Sequence, residues 1–192
     1  MNRKKRIPSA ARVLRIERAL TTSSREWLNR QPRPERLFGR RVPRDLDGLT
    51  FGELLSLQDA AEGTSADSVV TLARIILKSR LPDGWILRER ADKVFGFVGF
   101  VAKELERIGK LFKSVEHAPD DDEVAAGIND LDFGAFGLLD WYARRMGITN
   151  HDDAMSVPWL RVYQCMKMDA DRDAYERRLR DIVTAKYKPK KR

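Results

Sequence analysis

The chain has 192 residues, of which 42% are hydrophobic and 34% are charged, and its formal net charge at pH 7 is +8. This length suits one folded domain, or one and a half, and the hydrophobic fraction is high enough to build a core. Apolar runs are too short for a membrane span, no apolar segment follows the basic N-terminus as in a secretory signal, and the single cysteine excludes an internal disulfide. We therefore expect a cytoplasmic protein without a membrane segment.

The positive charge is concentrated at the two ends of the chain. Residues 1–44 contain 14 Lys and Arg against 3 Asp and Glu, and residues 186–192 contain 5 basic residues and no acid. Residues 45–185 contain 18 basic and 26 acidic residues. This distribution predicts a basic arm and linker over 1–44, a helical domain over 45–185 and a basic tail over 186–192. Basic ends either attract nucleic acid or an acidic protein surface, or are simply solvated.

A first helix is predicted after Ser9, which is a good N-cap residue, and it continues to Leu20. Its apolar residues Val13, Ile16 and Leu20 follow helical spacing and form a narrow stripe on an Arg-rich helix. Trp27 is a further apolar anchor after this helix. Such a stripe suits docking on a partner, binding in a groove lined with phosphates, or packing on the protein's own core.

Residues 31–48 contain three Pro, two Gly and five Arg, which is the composition of an irregular linker. The pattern changes at Thr50, which forms a capping box with Glu53 and predicts the start of a helix. Either Ser65 or Asp67 is then expected to begin a second helix, because both residue types cap helix N-termini well.

A long helix is predicted over about residues 86–115, because apolar residues recur there at spacings of three and four. Between residues 94 and 102 phenylalanines widen the apolar face to nearly the whole circumference of the helix. Such a segment is covered either by other helices or by a partner subunit, so Phe97 and Phe100 are candidate partner contacts. Gly96 and Gly99, three residues apart, suggest that another helix approaches closely, since glycine otherwise disfavours helix formation.

The sequence Leu-Asp-Phe-Gly at 131–134 resembles Leu-Thr-Phe-Gly at 49–52 and predicts another capped helix start, with Asp132 as the cap. The helix that follows is expected to place Phe136 and Leu139 on a core face. The repeated pattern reflects either an old duplication or the reuse of a good helix start.

Two more helices complete the prediction. The first begins near Pro158, and the second begins at Asp169 or Asp171 and ends near Lys186. No stretch alternates convincingly with a period of two. We therefore predict an all-α fold, a compact bundle of six to eight helices with a basic N-terminal arm and a basic C-terminal tail.

The sequence carries no signature of an enzyme. It lacks a Gly-rich phosphate-binding loop, a dinucleotide-binding fingerprint and a Gly-x-Ser-x-Gly elbow. His117 and His151 lie far apart in the chain, and Cys165 lies on an apolar helix with no activating residue apparent beside it. We therefore predict no catalytic residue, no metal-binding residue, no cofactor-binding residue and no cofactor.

Four segments carry a resemblance to a known group of proteins. They are Leu-Thr-Phe-Gly-Glu-Leu, Phe-Gly-Leu-Leu-Asp-Trp-Tyr-Ala-Arg-Arg-Met-Gly, Val-Pro-Trp-Leu-Arg-Val-Tyr and Tyr-Glu-Arg-Arg-Leu, at 49–54, 136–147, 157–163 and 175–179. Over about residues 46–185 the chain resembles small helical proteins from the structural gene clusters of tailed phages and prophages, such as tail-assembly chaperones and minor virion assembly proteins. The resemblance implies an assembly function, virion or tail components as partners, and a location in the host cytoplasm or in association with the virion.

The first functional hypothesis is a non-enzymatic assembly factor that binds other proteins through helical faces, with a homo-oligomer as one form that this allows. The candidate partner contacts are Val13, Ile16, Leu20, Trp27, Phe97 and Phe100.

The alternative is a nucleic-acid-binding protein that uses its basic ends without sequence preference. The candidate contacts for this function are Arg3, Lys4, Lys5, Arg6, Arg12, Arg15, Lys190, Lys191 and Arg192.

Overall fold

The computed structural model describes residues 26–27, 30–63, 65–80 and 88–187. These residues form seven α-helices and one hairpin of two-residue strands, so the predicted all-α fold is confirmed. Within the described residues, no helix combines the length and the apolar character that crossing a membrane requires.

The chain divides into two compact units, Met1–Ile108 and Gly109–Arg192, which we call the N-terminal and the C-terminal unit. The predicted domain over 45–185 therefore spans parts of both units. The folded part of the chain also begins before residue 45, because residues 36–41 form a hairpin that belongs to the N-terminal unit.

The hairpin lies in the segment that was predicted to be an irregular linker. Its strands, β1 (Arg36–Leu37) and β2 (Arg40–Arg41), pair in antiparallel fashion. The turn residues Phe38 and Gly39 both have positive φ, at 52° and 75°. Positive φ at both central residues is the signature of the type I′ turn, whose twist matches that of a two-residue hairpin.

Three helices follow in the N-terminal half of the chain: α1 (Phe51–Glu62), α2 (Ala66–Leu77) and α3 (Ala91–Lys113). The capping box at the start of α1 is confirmed. The Thr50 hydroxyl accepts the Glu53 N–H at 3.1 Å, and the Glu53 carboxylate accepts the Thr50 N–H at 2.9 Å.

The apolar face of α3 packs in the core of the N-terminal unit. Phe97 is fully buried and Phe100 is nearly so. This burial contradicts the expectation that the two rings form a partner-contact surface, because other parts of the same chain already cover them. The close approach at Gly96 is also different from the one expected, since the backbone of Pro32, rather than another helix, lies against it.

The described residues of the C-terminal unit contain the end of α3, four further α-helices and a short 3₁₀ turn at Ile128–Asp130. The helices are α4 (Asp121–Ala125), α5 (Gly134–Met146), α6 (His151–Met155) and α7 (Trp159–Tyr187).

Helix α7 joins two elements that were predicted separately. Residues 159–187 contain neither Gly nor Pro, so the backbone has no reason to break. Asp171, a predicted start of the last helix, instead accepts a hydrogen bond from the Lys167 ammonium at 2.9 Å, four residues earlier. Such i,i+4 pairs stabilise a continuous helix.

Candidate protein-interaction surface

Apolar side chains are distributed unequally between the two units. Among the described residues, 17 buried apolar side chains belong to the N-terminal unit and 6 to the C-terminal unit. Of the 12 large apolar side chains that are exposed in the described residues, 11 belong to the C-terminal unit. Since scattered exposed apolar residues are normal but such a concentration is not, the C-terminal unit has the character of an interaction surface.

The buried part of the C-terminal unit is small and aromatic. Trp159, Val162 and Tyr142 are almost completely buried where α5 and the first turn of α7 contribute to the core. The ring of Phe112 contacts the rings of Trp159 and Tyr163, with both centroid distances at 5.9 Å. These contacts occupy the aromatic residues at the start of α7.

The remainder of α7 exposes an apolar stripe. After Val162 no residue of the helix is buried. Tyr175, Leu179, Ile182 and Val183, which we call the α7 stripe, are all exposed. Their spacing of four, seven and eight residues places them on one side of the helix. The stripe therefore has the spacing of a core-facing helix, although its four side chains are exposed.

A second exposed apolar group lies just before α5 and in its first turn. Leu131, Phe133 and Phe136, which we call the Phe segment, have exposed fractions of 63%, 70% and 63%. The prediction that Phe136 lies on a core face is therefore wrong. Its ring contacts the His151 ring at a centroid distance of 5.2 Å, which leaves most of the phenyl group in solvent.

The local backbone explains why the Phe segment turns outward. Asp132 accepts the N–H of Gly134 at 2.9 Å, so its carboxylate forms a turn two residues long rather than the expected helix cap. Gly134 has a φ of +51°, and α5 begins there without a side-chain cap. The resemblance to the start of α1 is thus limited to the sequence pattern.

A cleft of about 270 Å³ lies within the C-terminal unit. Apolar side chains and carboxylates both line it, among them Trp141, Met166, Asp169 and Asp173. The Arg145 guanidinium pairs with Asp169 and lies 5.8 Å from the centroid of the Trp141 ring. The cleft thus combines an apolar lining with charged neighbours, which is the composition of many ligand-binding clefts.

Both histidines of this unit lie close to carboxylates. His117 Nε2 lies 2.7 Å from Glu123, and His151 Nε2 lies 3.5 Å from Asp140. The N–H of Asp120, and secondly His117, hold the pKa of Glu123 below its ordinary value. Among the described residues, no group of three or more His, Cys, Asp or Glu is arranged to hold a metal ion.

The residues proposed from the sequence have different outcomes. Trp27 is about half exposed, while Phe97 and Phe100 lie in the core of the N-terminal unit. The remaining proposed residues lie outside the described part of the chain. They are Val13, Ile16 and Leu20 among the partner contacts, and Arg3, Lys4, Lys5, Arg6, Arg12, Arg15, Lys190, Lys191 and Arg192 among the nucleic-acid contacts.

The exposed residues of the C-terminal unit were missed because their signal is the same as that of a core. Helical spacing marks the α7 stripe as an apolar face but does not say whether anything covers it. The glycines on either side of Phe136 were the available sign that the start of α5 departs from a regular capped helix. Comparisons with known protein families, with curated proteins and with solved structures gave no match to this chain.

Proposed function

We propose that the protein is a non-enzymatic interaction factor whose C-terminal unit binds another protein through exposed apolar side chains. The unequal burial of the two units carries this proposal, since 11 of the 12 exposed large apolar side chains among the described residues belong to the C-terminal unit. Burial of one large apolar side chain contributes roughly 1.5–3 kcal/mol, so a partner that covers a few of them gains substantial affinity.

The α7 stripe supports a helix-mediated mode of binding. Its residues at positions 175, 179, 182 and 183 have the spacing that amphipathic helices use when they insert into an apolar groove or pair with another helix. The Phe segment adds two exposed aromatic rings, Phe133 and Phe136, and aromatic anchors contribute much of the energy of protein interfaces.

The proposed context is the assembly of a phage particle, with a virion or tail component as the partner. This part rests on the resemblance of residues 46–185 to proteins of phage structural clusters. An assembly factor needs an apolar face that a partner can cover, and the C-terminal unit offers one. It does not need an active site.

The experiment is site-specific photo-crosslinking in the cells that naturally produce the protein. A benzophenone amino acid is placed at Leu179, in the α7 stripe, and separately at Thr184, which is exposed on the opposite side of the same helix. We expect one defined protein to be crosslinked from position 179 and not from position 184. Its identification by mass spectrometry as a virion or tail protein would support the phage context.

A charge variant provides the matched control. Ile182→Glu is expected to abolish the crosslink from position 179, and Thr184→Glu, which adds the same charge, is expected to leave it unchanged. If positions 179 and 184 crosslink equally, or if Ile182→Glu has no effect, the α7 stripe is not the binding surface. Light scattering on the purified chain shows whether the partner is a second copy.

A further inference from the structure

Five arginines lie within the twelve residues 33–44, around the hairpin of the N-terminal unit. We call this group the arginine hairpin; its members are Arg33, Arg36, Arg40, Arg41 and Arg44. Four of them are exposed and Arg33 is half-buried. Glu35 is the only acidic residue in the same segment, so the hairpin carries a local excess of four positive charges.

The backbone of the arginine hairpin is held in place by the N-terminal unit. Leu37 and Val42 are buried in the core. The N–H of Phe38, at the turn, donates to the Glu89 carboxylate at 3.0 Å. The Arg33 guanidinium donates to the Val42 carbonyl oxygen at 2.9 Å. The exposed arginines are therefore presented from a fixed scaffold, which lowers the entropic cost of binding a ligand.

The exposed arginines also form no ion pair with a carboxylate in the part of the chain that the structure describes, although Glu35 lines the same cleft. Arg36 and Arg41 lie directly opposite each other in the two strands, and neither forms an ion pair with a described residue. Like charges in directly opposed positions destabilise a hairpin. In the same unit the charge of Arg107 is neutralised by ion pairs with both Asp47 and Glu104. Arg36 and Arg41 have no such carboxylate partner among the described residues. An anion bound between the strands would remove this repulsion.

A cleft of about 320 Å³ lies at this position. Four of its six lining residues are arginines, namely Arg33, Arg36, Arg41 and Arg44, and the other two are Glu35 and Val42. Guanidinium groups are planar forks of donors that match the oxygens of a phosphate group in a bidentate manner.

We propose that the arginine hairpin binds the phosphodiester backbone of a nucleic acid. Charges on both strands and on the flanking residues suit a ligand with several phosphates in a row rather than a single anion. All five basic residues are arginine, and none is lysine. No large apolar side chain within residues 33–44 is exposed, which argues against insertion into a lipid surface. This function is separate from the protein binding proposed for the C-terminal unit.

The test is fluorescence anisotropy with the full chain and labelled mixed-sequence 20-mers of single-stranded DNA, duplex DNA and RNA. Binding is measured over a series of salt concentrations. The variant Arg36→Gln/Arg41→Gln is expected to bind at least about tenfold more weakly. The dependence of log affinity on log salt should become shallower by about two for duplex DNA, because two phosphate contacts are lost.

The matched control is Arg178→Gln/Arg180→Gln, which removes the same charge from exposed positions on α7. It is expected to change affinity by no more than about twofold. Arg40→Gln/Arg44→Gln is a second hairpin variant, with the same expected loss, and circular dichroism checks that each variant is folded.

Three outcomes would overturn the proposal. The first is that no probe binds at 50 mM salt. The second is an equal loss in hairpin and control variants, which would mean that net charge or other basic segments account for binding. The third is that the hairpin variants keep nucleic-acid binding but lose sedimentation with vesicles of phosphatidylserine and phosphatidylcholine, which would make the site a lipid-binding one.

Discussion

The two units begin helices with the same device and then use them differently. Thr50 and Glu53 form a capping box in the N-terminal unit, and Asp120 and Glu123 form one in the C-terminal unit. The helix that follows the first box buries three apolar side chains, whereas α4, which follows the second, buries none. Local signals thus determine where a helix begins, and the availability of a covering segment determines what it contributes to stability.

The largest expected difference in stability between the two units comes from truncating one phenylalanine in each. Phe97→Ala is expected to lower the free energy of unfolding by about 3–5 kcal/mol, because Phe97 is fully buried. Phe136→Ala, at an exposed ring, is expected to change it by no more than about 0.5 kcal/mol. Urea denaturation of both variants measures the difference. Similar losses would mean that Phe136 packs on a core after all.

Replacing either of two glycines in α3 by alanine is expected to change stability by a smaller amount, and with opposite signs at the two positions. A Cβ at Gly96 would overlap the carbonyl oxygen of Pro32, while one at Gly109 would meet nothing within 4 Å. Gly96→Ala is therefore expected to destabilise the protein by about 1–3 kcal/mol despite the better helix propensity. Gly109→Ala is expected to stabilise it by about 0.5–1 kcal/mol. The shift of the thermal midpoint measures both, and a stabilising Gly96→Ala would rule out the close contact with Pro32.

The two capping boxes separate a global effect from a local one. Thr50→Ala is expected to cost about 1 kcal/mol of unfolding free energy, because α1 is packed in the N-terminal unit. Asp120→Ala is expected to leave global stability within about 0.5 kcal/mol and to raise amide exchange only around α4, which buries no residue. Hydrogen exchange read by mass spectrometry distinguishes the two. Exchange that rises throughout the C-terminal unit after Asp120→Ala would contradict this separation.

The smallest effect concerns the protonation of Glu123. Its pKa is lowered chiefly by the N–H of Asp120 and secondly by His117. A lowered folded-state pKa means that the contribution to stability is present above the unfolded-state value and is lost as the pH falls through the folded-state value. We expect the ¹³C carboxyl titration of Glu123 to have its midpoint below the ordinary value of a glutamate. His117→Ala should move it upward, and an unchanged midpoint would exclude the histidine as a cause.

The sequence was sufficient to predict those features, such as helix ends, that depend on residues close together in the chain. The Thr50 hydroxyl caps α1, Ser65 caps α2, and Asn150 caps α6, as these residue types favour. Gly147 ends α5 in the left-handed region, which glycine adopts without strain. The predicted all-α fold followed from such signals together with helical periodicity.

The sequence was not sufficient to predict whether an apolar face is buried, because burial depends on residues far apart in the chain. The apolar segment around Phe97 and the α7 stripe have the same kind of pattern, but only the first finds other segments to cover it. The hairpin was missed because its turn places Phe38 where asparagine or glycine is usual, so the turn signal was absent. The composition around its arginines therefore predicts a linker.

The length of α7 has a consequence for the lifetime of the protein. Its 29 residues extend over about 43 Å at the usual rise per residue, and the last 25 contain no buried side chain. A helical segment that buries no side chain opens more readily than a buried one, and transient opening exposes peptide bonds to proteases. We expect the free chain to be cleaved in this region and the bound chain to be protected. Copies that find no partner would then be degraded first, which would keep the amount of protein matched to the amount of its partner.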